Sequence, residues 1–135
     1  MYDIIIIGAG PSGSNLARSL NPKLKVLIID KRSMHIPYTS DQKNKCCGGL
    51  LAPDAQKMMA KLGLGIPKEI LVDPQLFAVR TLDIKANIER AYQRYYYNID
   101  REKFDRWLVS MIPSTVDQWF NSVFKGYVET ENGFK

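Results

Sequence analysis

A turn near the start of the chain has the spacing Gly-x-Gly-x-x-Gly and comprises Gly8, Gly10, Pro11, Ser12 and Gly13. In this pattern Gly8 permits a tight turn after a strand, Gly10 lets a pyrophosphate approach the backbone, and Gly13 lets a helix pack closely. The N–H groups and the positive end of the helix that follows attract phosphate. The spacing therefore predicts a phosphate-binding turn, with a purely structural glycine turn as the alternative.

An acidic residue, Asp30, follows the second apolar run of the chain, residues 26–29. A carboxylate at the end of the second strand of such a unit accepts hydrogen bonds from ribose hydroxyls. Its negative charge also repels a 2′-phosphate. The sequence thus favours FAD or NAD over NADP.

The elements around these residues form a βαβ pattern. Ile4–Ile7 is β-branched and apolar throughout, which is typical of a central parallel strand covered by helices on both faces. A helix over 14–20 and a strand over 26–29 follow. We therefore predict an α/β, Rossmann-like dinucleotide-binding unit over residues 1–32.

A second group of candidates begins at two adjacent cysteines, Cys46 and Cys47, which precede Gly48 and Gly49 in a predicted loop over 33–53. Two glycines suit a backbone that passes close to a bulky, flat group. Adjacent cysteines lack the spacing of zinc ligands, so no metal site is predicted. Cys47 is either a buried small side chain or a thiol that lines the cofactor site. The single histidine, His35, lies in the same loop and is read as an exposed residue.

The rest of the chain alternates strands and helices. Proline and glycine signals predict a helix over 53–63, and two strand-like runs predict an inserted antiparallel hairpin over 76–99. Asp100 is a plausible N-cap for a helix over 100–112. Arg101 falls in its first turn, where a cation is disfavoured unless an anion lies nearby. A cofactor phosphate would supply that anion, and an exposed arginine is the alternative.

Further strands are predicted over 115–135, at 116–120 and 123–130. The dipeptide at 132–133, Asn-Gly, is a strong hairpin signal, but only two residues follow it. We expect these to be too few to pair, and we expect the chain to be a truncated piece.

Composition narrows the class of protein. The 135 residues are 45% hydrophobic, with a net charge of +5 and basic residues scattered along the chain. Nucleic-acid binding is therefore disfavoured, and weak attraction to an anionic membrane surface stays open. No apolar run approaches a membrane span, and no basic segment of a signal peptide precedes the first one. We expect a cytoplasmic chain.

Four segments together resemble the geranylgeranyl-reductase-like flavoproteins, in particular their bacterial CbrA-like branch: 8–14, 30–32, 47–56 and 100–108. The resemblance implies an FAD-binding domain of the p-hydroxybenzoate hydroxylase type, of which this chain is the N-terminal portion. It assigns cofactor contacts to the following residues: Gly8, Gly10, Pro11, Ser12, Gly13, Asp30, Lys31, Cys47, Gly48, Gly49 and Arg101. The glycine turn would cradle the pyrophosphate, Asp30 would bind the adenosine ribose, and the Cys47 turn would lie near the isoalloxazine.

The same resemblance implies an activity. In the family, reduced flavin delivers hydride to carbon–carbon double bonds of prenyl chains. Cys47 then becomes a catalytic candidate that lines the reaction chamber, and the partner is a prenyl lipid or another small molecule, with no electron donor assigned. A flavin-dependent monooxygenase of the same fold and a non-catalytic truncated nucleotide-binding fragment remain alternatives.

Overall fold

A computed structural model describes residues 1–34, 47–131 and 133–134, so His35, Cys46 and most of the predicted loop over 33–53 lie outside the described residues. The described helices are α1 (Pro11–Ser19), α2 (Pro53–Lys61) and α3 (Arg101–Ser110), with a 3-10 helix at Lys68–Ile70. The described strands are β1 (Ile4–Ile7), β2 (Val26–Ile29), β3 (Leu50–Leu51), β4 (Leu76–Asp83), β5 (Ile88–Asn98), β6 (Val116–Trp119), β7 (Glu129–Thr130) and β8 (Gly133–Phe134). None of these helices is long and apolar enough to cross a lipid bilayer.

The chain divides into two compact units, Met1–Gln42 with Asp105–Lys135, and Lys43–Phe104. The first unit contains a parallel three-stranded sheet in the order β1-β2-β6. Its register pairs Ile4 with Val26 and Val26 with Val116. Because the strands are parallel, the carboxyl ends of β1 and β2 lie at the same edge. The predicted α/β class with a βαβ start is confirmed.

One face of this sheet forms the core of the first unit. Ala17 of α1 and Val109 of α3 pack with apolar side chains of all three strands, namely Ile6, Val26, Ile28 and Val116. Burial of such side chains is the main favourable term in folding. The two helices therefore hold the sheet from the face that carries Ile6.

The prediction that β1 is covered on both faces is wrong for the described residues. Ile6 is buried, but Ile5 and Ile7 are 50% and 55% exposed. Side chains alternate along a strand, so these two project from the face opposite Ile6. The β-branched run indicates a strand, but its composition does not reveal how many faces are covered.

The second unit is built on an antiparallel hairpin. β4 and β5 pair from Asp83 opposite Ile88 to Leu76 opposite Tyr96, with an irregularity near Leu76. Asn87 turns the chain between them with a positive φ of 52°, which asparagine tolerates. The predicted loop over 33–53 extends too far, because Leu50–Leu51 forms β3 and pairs with the end of β5.

The end of the chain also differs from the prediction. β7 and β8 pair in antiparallel fashion, with Glu129 opposite Phe134 and Thr130 opposite Gly133. The expectation that two residues after the Asn-Gly signal are too few to pair is therefore wrong. The strand predicted over 123–130 is regular only at Glu129–Thr130, the two residues that have a partner strand.

We predict that Gly13→Ala destabilises the protein although alanine favours helices. A Cβ at Gly13 would meet the carbonyl oxygen of Gly8 and lie 3.2 Å from Cγ2 of Ile6. Helix propensity alone would stabilise the variant by about 0.5–1 kcal/mol, whereas overpacking costs about 1–3 kcal/mol. We expect the clash to dominate and the free energy of unfolding, measured in urea, to fall.

Gly65→Ala is the matched control, because nothing lies within 4 Å of the Cβ that it would add. Its stability should stay close to that of the original chain. A Gly13→Ala variant as stable as this control would contradict the close approach of α1 to the end of β1.

Candidate nucleotide-binding site

The glycine turn joins the end of β1 to the start of α1. Gly8 has a φ of +102°, a conformation that side-chain-bearing residues rarely adopt, and its N–H donates to the carbonyl of Ile29 at 2.7 Å. Gly13 brings the first turn of α1 against the carbonyl of Gly8. The roles predicted for these two glycines in forming a tight turn and a close helix contact match this geometry.

The first turn of α1 has no side-chain cap. Gly10 is the N-cap residue, with an extended backbone and no capping side-chain hydrogen bond, and Pro11 begins the helix. The first N–H groups of a helix have no partner within the helix, and they carry its positive end. Ser12 is exposed at this turn. The start of α1 can therefore receive an anionic group.

Asp30 follows β2 and is directed at the glycine turn. Its Oδ2 accepts a hydrogen bond from the N–H of Ala9 at 2.7 Å, and the residue is only 8% exposed. The neighbouring strand ends bring the two groups together across 21 residues of sequence. Lys31, the next residue, is exposed.

Arg32 is a charged residue of this site that the sequence did not identify. Its Nε and Nη2 donate to Oδ1 and Oδ2 of Asp30, both at 3.1 Å. Its Nη1 donates to Oδ2 of Asp105 at 2.8 Å. One guanidinium therefore joins two carboxylates, from the end of β2 and from α3.

Asp105 is fully buried, with 0% of its surface exposed. It lies at helical spacing from the buried side chains of Leu108 and Val109 in α3 and of Ile112, which follows the helix. An acidic residue in an otherwise apolar stripe is the sequence signal that could have indicated a buried ion pair.

The charge of Asp30 is stabilised by its surroundings. Burial raises the pKa of this carboxyl, but the hydrogen bonds from Arg32 and Ala9 and the charge of Arg32 outweigh burial, so its pKa lies below the ordinary value. Burial lowers the pKa of Arg32, but its bonds to Asp30 and Asp105 raise it overall. Both groups are therefore ionised at neutral pH.

The main chain around Asp30 is held on several sides. Its N–H donates to the carbonyl of Trp119 at 3.1 Å, and its carbonyl accepts from Ser122 at 3.0 Å. The carbonyl of Arg32 accepts from Asn121 at 3.1 Å. The backbone that carries the two charged side chains is thus fixed by the residues that follow β6.

The second group of predicted residues lies in the second unit. Gly49 has a φ of +66°, its carbonyl accepts from the N–H of Ile99 at 2.8 Å, and a Cβ there would lie 3.3 Å from the carbonyl carbon of Ile99. Cys47 and Gly48 are exposed. The turn therefore runs tightly along Ile99, the residue that follows β5.

Arg101 and Cys47 lie together in this second unit. Nη1 of Arg101 is 3.8 Å from Sγ of Cys47. Asp100 caps α3, because its Oδ1 accepts from the N–H groups of Glu102 and Lys103, both at 3.0 Å. The predicted helix start is therefore correct. Contact of these residues with a cofactor stays a prediction, as it does for the glycine turn, Asp30 and Lys31.

Comparison with known proteins gives sequence relatives that carry the name Protein CbrA, from Shigella sonnei and from several strains of Escherichia coli. Protein CbrA of Shigella sonnei is 44% identical over 122 residues, which is 90% of this chain and 34% of that protein. The chain thus spans about a third of the length of the curated relatives it matches. No protein-family model matches the chain.

Solved structures show a similar fold. A geranylgeranyl bacteriochlorophyll reductase-like protein from Thermoplasma acidophilum matches with a TM-score of 0.73 and 22% identity, over 96% of this chain and 32% of that one. PqsL of Pseudomonas aeruginosa, a probable FAD-dependent monooxygenase, matches with a TM-score of 0.65 and 16% identity, over 98% of this chain and 36% of that one. The chain therefore has the Rossmann-type α/β fold of these proteins. A fold alone does not define a reaction.

We predict an acid-dependent loss of stability that is caused by Asp30. Because its pKa is lowered by folding, its stabilising contribution is complete above the ordinary value of 3.8 and is lost as the pH falls through the lower folded value. The free energy of unfolding, measured in urea from about pH 7 down to about pH 3, should fall less steeply in Asp30→Asn. Superimposable pH curves for the two proteins would contradict the ionised state assigned to Asp30.

Proposed function

We propose that the first unit binds the adenosine diphosphate part of FAD. The glycine turn and the start of α1 would receive the pyrophosphate, and Asp30 would accept hydrogen bonds from the adenosine ribose. The observation that carries this proposal is the 2.7 Å hydrogen bond from Ala9 to Asp30. It holds a carboxylate directly beside the turn whose helix has no side-chain cap.

The chemistry of these groups fits such a ligand. Main-chain N–H groups at a helix start bind phosphate oxygens, because they are unpaired donors at the positive end of the helix dipole. A carboxylate is an acceptor only, which suits the hydroxyl donors of a ribose. Its negative charge disfavours a 2′-phosphate, so FAD or NAD fits Asp30 better than NADP.

For the second unit we propose contact with the flavin end through Cys47, Gly48, Gly49 and Arg101. Gly48 is exposed and has no side chain, so its backbone is open to contact with a flat group. Arg101 supplies a cation in the first turn of α3, where the helix dipole favours an anion as its neighbour. Cys47, beside Arg101, is the candidate that lines the reaction chamber.

For the reaction we propose reduction of carbon–carbon double bonds in prenyl lipids, within an FAD-binding domain of the p-hydroxybenzoate hydroxylase type. The bound flavin would supply the hydride, and the residues above would position it. The resemblance of the four sequence segments and the likeness to the Thermoplasma protein support this reaction.

Flavin-dependent monooxygenation is the second candidate. The likeness to PqsL supports it, since that match covers 98% of this chain. The residues of the glycine turn and Asp30 would have the same role in both cases. The two reactions differ in whether molecular oxygen or the organic substrate reoxidises the reduced flavin.

A titration of FAD with the purified protein tests the binding proposal. We expect saturable quenching of flavin fluorescence, and we expect Asp30→Asn to weaken binding by about tenfold or more, as for a lost hydrogen bond to a charged group. Asp3→Asn is the matched control, because Asp3 also accepts a main-chain hydrogen bond, from Lys25 at 2.7 Å, at the other end of β1. The proposal fails if the protein leaves FAD fluorescence unchanged or if both variants bind alike.

Anaerobic reoxidation separates the two reactions. Reduced flavin on the protein is mixed with a geranylgeranyl lipid in the absence of oxygen, and the absorbance of oxidised flavin is followed. Its return indicates double-bond reduction. A flavin that stays reduced until oxygen is admitted together with an aromatic substrate, which is then hydroxylated, indicates the monooxygenase.

A further inference from the structure

We propose that Arg32 and Asp105 belong to the ribose site. In this role Arg32 competes with the ribose hydroxyls for Asp30, and Asp105 retains the guanidinium when the nucleotide binds. This inference rests on the proposed function, because it concerns the carboxylate that is proposed to bind the ribose. It adds two affinity-determining residues to that site.

The acceptor positions of Asp30 are already occupied. An ionised carboxylate offers about four positions for hydrogen-bond donors. Four donors are already present: the N–H of Ala9 on Oδ2, the N–H of Arg32 on Oδ1, and the Nε and Nη2 of Arg32 on Oδ1 and Oδ2. The side chain of Asp30 is also only 7% exposed. A ribose hydroxyl can therefore bind Asp30 only if one of these donors gives way.

Of the donors on Asp30, the guanidinium of Arg32 is the one that gives way. The two main-chain bonds are short, 2.7 Å from Ala9 and 2.8 Å from Arg32. Hydrogen bonds from Asn121 and Ser122 to the carbonyls of Arg32 and Asp30 hold this backbone in place. The two guanidinium bonds are longer, at 3.1 Å each, and come from a flexible side chain. Charge-assisted bonds of this kind are usually about 2.7–2.9 Å long, so these two are stretched, and the guanidinium is the donor that can move away from Asp30 while the main chain stays fixed.

Asp105 is the partner of the displaced guanidinium. Nη1 of Arg32 already donates to Asp105 at 2.8 Å, and Asp105 is fully buried. A buried charge without a partner is costly, whereas a charge paired with a second carboxylate keeps most of its stabilisation. Asp105 therefore allows Arg32 to leave Asp30 without becoming an isolated buried cation. Exchange of Arg32 for ribose hydroxyls thus keeps the guanidinium paired with Asp105 and keeps the carboxylate of Asp30 hydrogen-bonded.

The test compares ADP with 2′,3′-dideoxy-ADP, which has the same diphosphate but no ribose hydroxyls. Dissociation constants are measured by titration calorimetry at about pH 8, where Asp30 is ionised. The preference for ADP is the ratio of the dissociation constant of 2′,3′-dideoxy-ADP to that of ADP. This ratio reports the hydrogen bonds between the ribose hydroxyls and Asp30. If Arg32 had only a structural role, its substitution would weaken the binding of both nucleotides equally and leave this ratio unchanged.

Two variants should shift the ratio in opposite directions. Arg32→Met/Asp105→Leu removes the competitor together with Asp105, which would otherwise become a buried charge without a partner. Asp30 keeps its two main-chain donors, the N–H groups of residues 9 and 32, and the preference for ADP should rise about threefold or more. Asp105→Asn removes the charge that retains the guanidinium and strengthens its hold on Asp30. The preference for ADP should then fall by about threefold.

Arg80→Met/Glu89→Leu is the matched control, since it removes an exposed ion pair of the same kind from the hairpin, with atoms 2.7 Å apart. It should leave the ratio unchanged. A ratio that falls in Arg32→Met/Asp105→Leu would show that Arg32 supports ribose binding, and it would overturn the inference. An unchanged ratio in both site variants would also overturn it.

Three more outcomes have a defined meaning. If the double variant does not fold, as judged by its unfolding transition, the direction of the shift in Asp105→Asn decides alone. If the original chain binds neither ADP nor FAD, the proposed function fails and this inference fails with it. Binding of ADP with ratios that do not respond to the site variants removes the inference only.

Discussion

The structure of the first unit depends on where two parallel strands end. β1 and β2 are adjacent and run in the same direction, so the turn after Ile7 and the residue after Ile29 meet at one edge of the sheet. Asp30 then reaches the N–H of Ala9 at 2.7 Å. A carboxylate with so little exposed surface requires donors, and the glycine turn provides the first of them. The proposed nucleotide site is built around this one hydrogen bond.

A buried carboxylate imposes a further constraint on its surroundings. The positive charge of Arg32 compensates the negative charge of Asp30, and Asp105 is a second carboxylate paired with the same guanidinium. Removal of one member would leave a buried charge without a partner, which typically costs several kcal/mol, about 3–5. α3 is therefore connected to the end of β2 by an ion pair as well as by the apolar contacts of Val109. In the proposed site, the same pairing would decide whether a ribose hydroxyl can bind Asp30.

Local signals in the sequence predicted the parts of the fold that depend on neighbouring residues. The glycine spacing predicted the turn at Gly8, and the acid at Asp100 predicted the start of α3, because turns and caps are decided within a few residues. The contact of Arg32 with Asp105 joins residues 73 positions apart. It was missed because a sequence pattern can mark Asp105 as an acid in a buried stripe but does not reveal which distant residue pairs with it.

Two other predictions were also wrong, the cover on both faces of β1 and the absence of pairing at the end of the chain. The exposure of Ile5 and Ile7 depends on what covers the second face of the sheet, and four isoleucines in a row contain no information about that. Thr130 pairs with Gly133 through a return strand of only two residues, so the number of residues after the Asn-Gly signal did not predict whether the strands pair. Sequence alone therefore located the glycine turn, Asp30 and the two strands that precede them, but not the charge network around Asp30.

The central claim is that a diphosphate lies on the glycine turn with its ribose at Asp30. Amide chemical shifts of the ¹⁵N-labelled protein during a titration with ADP test this claim most directly. The account predicts that the largest changes occur at the N–H groups of Ala9, Ser12, Gly13 and Arg32. Changes confined to other residues, with these four amides unmoved at saturation, would contradict it.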